Sequence, residues 1–388
     1  MSPIYASSMA AFLFWFALVA TFYIYLGYPL LIALLARLRP SPERDIQLFD
    51  PVGDTQSLSI TVMISSYQEP DALEKKLRNV LACNNSHQIK QILVGLDGAE
   101  NADGLSAIDP RIIYVPFPAR RGKPSVLNDL MPMATGDILL MMDVRQRLDD
   151  AALPALLRNF ADPAIGVVSG ELVFEREAGD SSDASSIDAY WKLEKWLRVR
   201  EGRFGSVPGA TGALYAIRRE LAQPIPPHSS LDDVIIPMQA IAAGGRCIFE
   251  PTAKIYDRPA QDANREAIRK RRTLAGCAQL LRLFPRWSLP GGHPIWWQFF
   301  SHKIARLFSP FMLMLAAASN LLLLNHPIYL ALALLQALAY GLATLSLLLP
   351  RSPKPLRILG VFLKMQGTLL QAWRDALTRP NLALWDKA

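Results

Sequence analysis

The chain is poor in the residues that build metal centres and covalent staples. It has three cysteines, Cys83, Cys247 and Cys277, spaced too widely for a disulfide framework or a zinc site. Their scarcity suits a reducing compartment. His228, His293 and His302 stand alone, without metal-ligand spacing. No internal repeat and no long low-complexity tract is present, which excludes solenoids and fibrous arrays. The net charge is +7, yet no interleaving of basic and aromatic residues marks a nucleic-acid surface. Basic residues flank apolar runs instead, where they meet anionic lipid.

Apolar residues are what the chain has in excess. They make up 51% of its 388 residues, and the mean hydropathy is +0.17. The excess lies at the two ends, in residues 9–35, 307–324 and 328–349. A bilayer core takes about 20 apolar residues as a helix, so each run can span. The first run is too long for a signal-peptide core and has no basic segment before it, which predicts a retained anchor. Arg37, Arg39 and Arg44 follow it, the loop Asn325-His326-Pro327 carries no Lys or Arg, and Arg351, Lys354 and Arg357 follow the third run. This distribution predicts an outside amino terminus and a cytoplasmic middle domain. Residues 358–373 contain Lys364, Gln366 and Gly367 and predict an interfacial or re-entrant segment rather than a fourth crossing.

The expected plan is a transmembrane anchor over 1–39, a proline-bearing linker over 40–57 and a cytoplasmic catalytic domain over 58–260. Amphipathic interfacial helices follow over 261–306, then two transmembrane helices over 307–350 and an interfacial or re-entrant segment over 351–388.

In the middle domain, apolar runs alternate with amphipathic ones. Strands are predicted over 58–64, 89–96 and 111–115, up to Asp143, and over 165–169; helices are predicted over 71–82, 125–131, 148–160, 187–200 and 263–284. Residues 179–186 read as a loop, 205–212 as a glycine-rich turn, and 224–230 as a loop before Asp232-Asp233. The alternation predicts an α/β sheet covered on both faces. Two runs end in an acid: Ile92-Leu93-Val94-Gly95-Leu96 at Asp97, and Ile138-Leu139-Leu140-Met141-Met142 at Asp143. Such carboxylates fall at the carboxyl edge of the sheet, where open α/β sheets bind ligands. Two of them suggest a nucleotide and its metal.

Taken in order, the landmarks resemble the membrane-integrated family 2 glycosyltransferases, the group that includes cellulose, hyaluronan and poly-N-acetylglucosamine synthases. The resemblance covers roughly residues 58–310 and implies a GT-A-like nucleotide-sugar-binding domain of α/β class with transmembrane helices at both ends. Ser65-Ser66-Tyr67-Gln68-Glu69 is similar to the family's Pro-x-Tyr-Asn-Glu, which places Tyr67 and Glu69 at base and ribose. Asp97 with Gly98 matches the nucleotide-binding aspartate, which accepts from the imide of uracil. Arg120-Arg121-Gly122-Lys123, with Asn128, resembles Arg-x-Gly-Lys-x-x-Ala-Leu-Asn and assigns Lys123 to the diphosphate.

Asp143 takes the Asp-x-Asp position and implies a bound Mg²⁺ or Mn²⁺. Arg145 stands where a second acid is common, and a guanidinium has no acceptor to give a metal. The stretch 205–219, with Gly209 and Ala210, resembles the loop facing donor sugar and acceptor. Leu231-Asp232-Asp233 falls at Thr-Glu-Asp, which makes Asp233 the catalytic base and puts Asp232 beside the sugar. An alternative for Asp232 is a helix cap. Arg269 to Thr273 lies at Gln-x-x-Arg-Trp and assigns Arg272 to the leaving diphosphate, with Thr273 in place of the Trp of processive enzymes. Trp191 has two readings, a platform for a sugar ring or ordinary packing.

The resemblance therefore implies an inverting transferase in a bacterial inner membrane, using a nucleotide sugar, UDP-linked by expectation. The acceptor would be a polysaccharide or a lipid-linked sugar, with membrane lipids and export or polymerisation proteins as partners. Two other readings remain: a non-processive enzyme adding one sugar to a lipid carrier, and an inactive scaffold that binds nucleotide sugar.

Overall fold

The computed structural model describes residues 3–39, 58–103, 105, 108–175, 184–258, 263–349, 352–379 and 381–384. The predicted loop at 179–186 therefore lies largely outside the described residues, as does the whole of the 40–57 linker. The chain divides into two compact units. A helical one comprises residues 1–31, 267–288 and 299–379, and a sheet unit comprises 32–266, 289–298 and 380–388.

In the helical unit, α1 (Pro3–Phe22) passes through a π turn, Tyr23–Gly27, into the start of α2 (Tyr28–Leu38), whose residues from Ile32 onward are counted with the sheet unit. Phe14 and Ala17 of α1 bury against Ala316 and Leu323. Tyr25, Ser309 and Gln366 close a ring of hydrogen bonds: Tyr25 to Ser309 at 2.9 Å, Ser309 to Gln366 at 2.7 Å and Gln366 to Tyr25 at 3.0 Å. Polar groups away from water must find partners among themselves, and this triangle does so. Three helices, Ser7–Leu38, Trp296–Leu321 and Pro327–Leu348, are long and apolar enough to cross a membrane. The second begins at Trp296, earlier than the apolar run at 307 suggested. Exposed Leu330, Leu334 and Leu338 stud the third.

The sheet unit is built on eight strands: β1 (Ile60–Ser66), β2 (Ile89–Asp97), β3 (Ile112–Phe117), β4 (Ile138–Met142), β5 (Arg147–Leu148), β6 (Ile165–Phe174), β7 (Leu214–Arg218) and β8 (Arg246–Asp257). Their spatial order is β3-β2-β1-β4-β7-β6-β8-β5. β3, β2, β1 and β4 are mutually parallel. β7 runs antiparallel to both β4 and β6, which makes the sheet mixed. Helix α3 (Pro70–Ala82) lays Leu73, Leu77 and Val80 on the sheet, where they join Ile60, Val62 and Ile64 in the core. These positions recur at one face of a 3.6-residue period, which is why the segment is helical. Next come α4 (Lys123–Leu130), the short α5 (Ala152–Leu157), α6 (Ala184–Phe204), α7 (Asp232–Ala242) and α8 (Ala263–Leu283). The helix expected over 148–160 is shortened because residues 147–148 pair with β8 and 158–161 tighten into a 3₁₀ turn.

Gly136 opens the approach of β4 to β1. A Cβ there would lie 2.4 Å from the Thr61 amide nitrogen, and backbone cannot step aside as a flexible side chain can. Gly136→Ala is expected to destabilise the sheet unit by about 1–3 kcal/mol, read as a lowered midpoint in chemical denaturation of the solubilised protein.

Candidate active site

The carboxyl ends of β1 and β2 form one end of the site. After β1, Gln68 adopts a left-handed backbone with φ of 53°, a conformation that is uncommon for a residue with a side chain and often marks a functional turn. The turn presents Tyr67, whose ring lies against Gly98 and under the Arg120 guanidinium, 4.5 Å from the ring centroid. Glu69 is partly exposed and starts α3, its carbonyl accepting from the Leu73 amide at 2.9 Å. Asp97 is buried. Its Oδ1 accepts from the Arg121 amide at 2.7 Å and its Oδ2 from the Gly122 amide at 2.9 Å. The carboxylate expected to read a base thus also builds the 120–123 turn, and each oxygen keeps a second lone pair.

That turn delivers Lys123. Gly122 has φ of 87°, a conformation that only glycine adopts without strain, and Lys123 begins α4. The Lys123 ammonium lies 2.8 Å from Asp143 Oδ1 and forms an ion pair with Asp232 Oδ2 at 3.0 Å. Burial pushes the lysine pKa down, but the charges and hydrogen bonds of Asp143 and Asp232 outweigh burial and raise it above the ordinary value. Lys123 therefore stays charged throughout the physiological range. Asp143 follows β4 and keeps 39% of its side chain exposed, whereas Asp232 keeps 9%. Arg145 is exposed, two residues beyond Asp143.

Asp232 and Asp233 are the first two residues of α7, not members of a loop, and Leu231 takes the cap position. Negative charge in a first helical turn is favoured by the helix dipole. The glycine-rich segment packs directly on this turn: the Ala210 amide donates to the Asp233 carbonyl at 2.7 Å, and Gly209 lies beside Val234. A Cβ at Gly212 would stand 2.9 Å from Asp233 Oδ2; the glycine leaves that space to the carboxylate. Beneath the acids, the buried Tyr215 of β7 is held neutral first by burial and then by the charges of Asp232, Asp233 and Asp143.

Lys123, Asp143, Asp232 and Asp233 are thus gathered together, and Asp97 fixes the turn that carries Lys123. Arg272 is exposed on α8 within the helical unit and is not among the residues the sheet unit gathers. Trp191 of α6 is partly exposed and packs against Phe174 of β6, with ring centroids 5.6 Å apart.

Other contributors carry no recognisable motif. Arg198 donates to Thr211 Oγ1 at 2.9 Å and holds the glycine-rich segment from α6. Ala383 lies against Gly122. Lys76 is buried under the segment after Asp143 and donates to the Gln146 carbonyl at 2.7 Å. The signal for Lys76 is a charge on the apolar stripe of α3, between Leu73 and Leu77.

Desolvation by burial lowers the Lys76 pKa to about 8, although the Asp143 charge opposes it. Between that value and the unfolded lysine value, the unfolded chain holds more protons, so folding stability rises with pH across that window. Comparing denaturation of the parent with Lys76→Met from pH 7 to pH 10 tests this: the parent should gain stability relative to the variant above about pH 8.

Residues 61–225 match the family described as Glycosyl transferase family 2. Residues 61–225 form a family 2 glycosyltransferase domain. An N-acetylglucosaminyltransferase of Rhizobium sp. (strain N33) is 27% identical over 53% of this chain and 45% of its own length. A poly-beta-1,6-N-acetyl-D-glucosamine synthase of Staphylococcus aureus (strain MSSA476) is 23% identical over 51% of this chain and 49% of its own. The chain spans about half the length of these relatives. Among solved structures, a mannosyltransferase from Pyrobaculum calidifontis, in complex with GDP-Man and Mn²⁺, superposes with a TM-score of 0.67 at 22% identity, covering 95% of this chain and 100% of that one. The glycosyltransferase domain therefore has the GT-A fold.

The donor set at Asp143 can be tested against a divalent ion. Among the described residues, no group of three His, Cys, Asp or Glu is placed to hold a metal by itself. Magnesium-type sites commonly use one or two carboxylates and take their other ligands from water and substrate phosphates. Asp143, partly exposed beside a lysine suited to phosphate, fits that pattern.

Proposed function

We propose that the chain is an inverting glycosyltransferase of the bacterial inner membrane, its catalytic domain cytoplasmic, that moves a sugar from a UDP-linked donor to a polysaccharide or lipid-linked acceptor. The observation that carries this reading is the Lys123 ammonium between Asp143 and Asp232, beside Asp233, at the carboxyl edge of the sheet. Tyr67, Glu69 and Asp97 take the nucleoside end, and Lys123 faces the diphosphate. A Mg²⁺ or Mn²⁺ ion held at Asp143 would neutralise diphosphate charge when bound.

An acceptor hydroxyl attacks the anomeric carbon from the side opposite the diphosphate. A bond from that carbon to the acceptor oxygen forms as its bond to the phosphate oxygen breaks. The electron pair leaves with the nucleoside diphosphate, and the hydroxyl proton passes to the Asp233 carboxylate. One displacement inverts the anomeric centre. Gly209 and Gly212 let their segment, with Ala210, pack closely on the Asp233 turn beside the sugar, while Arg198 and Thr211 fix that segment in place.

Both curated relatives carry N-acetylglucosamine in their names, so UDP-N-acetylglucosamine heads the panel of donors. The test is turnover of that panel by the purified full chain, with Mn²⁺ and with chelator. Metal-dependent release of UDP from one donor supports the reading, and no turnover of any nucleotide sugar removes it. Thr273, in place of a tryptophan, favours a second reading, single addition to a lipid carrier. Product length separates the two, since products confined to one added sugar exclude a polymerase.

A further inference from the structure

Along the carboxyl edge, the strand order β2-β1-β4-β7-β6 brings, in turn, Asp97, the Tyr67 turn, Asp143, the Gly212 and Asp233 contact, and then Gly170 and Glu171 of β6. The first three positions are those of base, ribose and diphosphate in the proposed reaction, and the fourth is that of the base catalyst. An acceptor that attacks opposite the diphosphate must arrive from the far side of the fourth, over β6. We propose that the end of β6 and the facing stripe of α6 are the subsite for the acceptor's terminal sugar, formed by Glu171, Phe174, Trp191 and Lys195; this rests on the transferase reading above.

Trp191, Lys195 and Arg198 recur at the spacing of one helical face. Trp191 meets Phe174, Lys195 pairs with the buried Glu171, and Arg198 grips Thr211. Thr211 in turn donates from its hydroxyl to the Gly170 carbonyl at 2.7 Å and from its amide to Ser169 Oγ of β6 at 2.8 Å. One helical face therefore holds both the segment beside Asp233 and the strand end next to it. The chemistry of the stripe suits a neutral pyranose. Aromatic rings offer an apolar platform for the ring face. A carboxylate accepts from hydroxyls, and an ammonium donates to hydroxyl, ring or amide oxygens. Because Glu171 and Lys195 neutralise each other, the subsite favours an uncharged sugar over a sugar phosphate. Lys195 keeps 35% of its side chain exposed, so the pair faces solvent on one side, where an acceptor can reach it.

The test uses inverted membrane vesicles carrying the full chain with its endogenous acceptor, given labelled donor of the kind the panel identifies. The readout is the share of consumed sugar that enters glycan or lipid rather than being released as free sugar, with UDP affinity measured separately. Trp191→Ala and Lys195→Met are each expected to lower that share about tenfold, the loss of one such contact, with UDP affinity within about twofold of the parent. Two variants guard against misfolding of either. A share equal to the parent's in both, or one that falls only in step with UDP affinity, overturns the subsite. Failure of the parent itself to transfer any sugar instead overturns the transferase reading, and the subsite with it.

Discussion

Replacing Asp233 by Asn is expected to lower sugar transfer by about 10³-fold, within the range that a positioned general base contributes. The substitution keeps the shape of the first turn of α7 and the backbone bond from Ala210 to the residue 233 carbonyl, so folding and UDP affinity should stay close to the parent's. What is lost is the carboxylate beside Gly212 that is proposed to take up the acceptor proton. Initial rates at saturating donor, with UDP binding measured on the same preparation, decide the matter. Transfer within about tenfold of the parent would show that another group takes the proton, and Asp232 would be the next to test.

Replacing Lys123 by Met should produce a different pattern. Removal of the ammonium leaves Asp143 and the buried Asp232 facing each other across the space where a diphosphate is proposed to bind. Repulsion between those acids and the incoming phosphates then opposes donor binding. The expected result is a fall in kcat/KM of about 10²–10³-fold, accompanied by weakened UDP affinity. The contrast is informative: Asp233→Asn should spare nucleotide binding and Lys123→Met should not. A Lys123→Met protein that binds UDP as the parent does would place the diphosphate elsewhere. Lys123→Arg is expected to recover only part of the loss, because a planar guanidinium cannot replace a compact ammonium between two carboxylates.

Sequence made the proposed donor half of the candidate site legible because its residues sit at abrupt local changes. Asp97 and Asp143 each end an apolar run, and Lys123 follows a glycine at a helix start. The proposed acceptor half gave weaker signals. α7 is buried on nearly every side and contains Pro237, so it shows no amphipathic stripe, and Asp232 and Asp233 read as loop acids. β8 carries Pro251 and changes register against β6 between Ser169 and Glu171, and a proline argues against a central strand. β7 reverses direction between β4 and β6, an arrangement that no local pattern encodes. The clamps from Lys76 to Gln146 and from Arg198 to Thr211 join residues brought together only by the fold. Lys123 could be assigned to phosphate by motif, but its simultaneous contact with Asp143 and Asp232 depends on α4, β4 and α7 meeting at one edge.

Anomalous scattering from Mn²⁺ in the full chain bound to UDP tests the arrangement most directly. A manganese peak in contact with an Asp143 carboxylate oxygen and the diphosphate, with Lys123 on the phosphates and Asp233 on the open side of the distal one, is the expected result. A nucleotide bound with its diphosphate away from Lys123 and Asp143 would contradict the account.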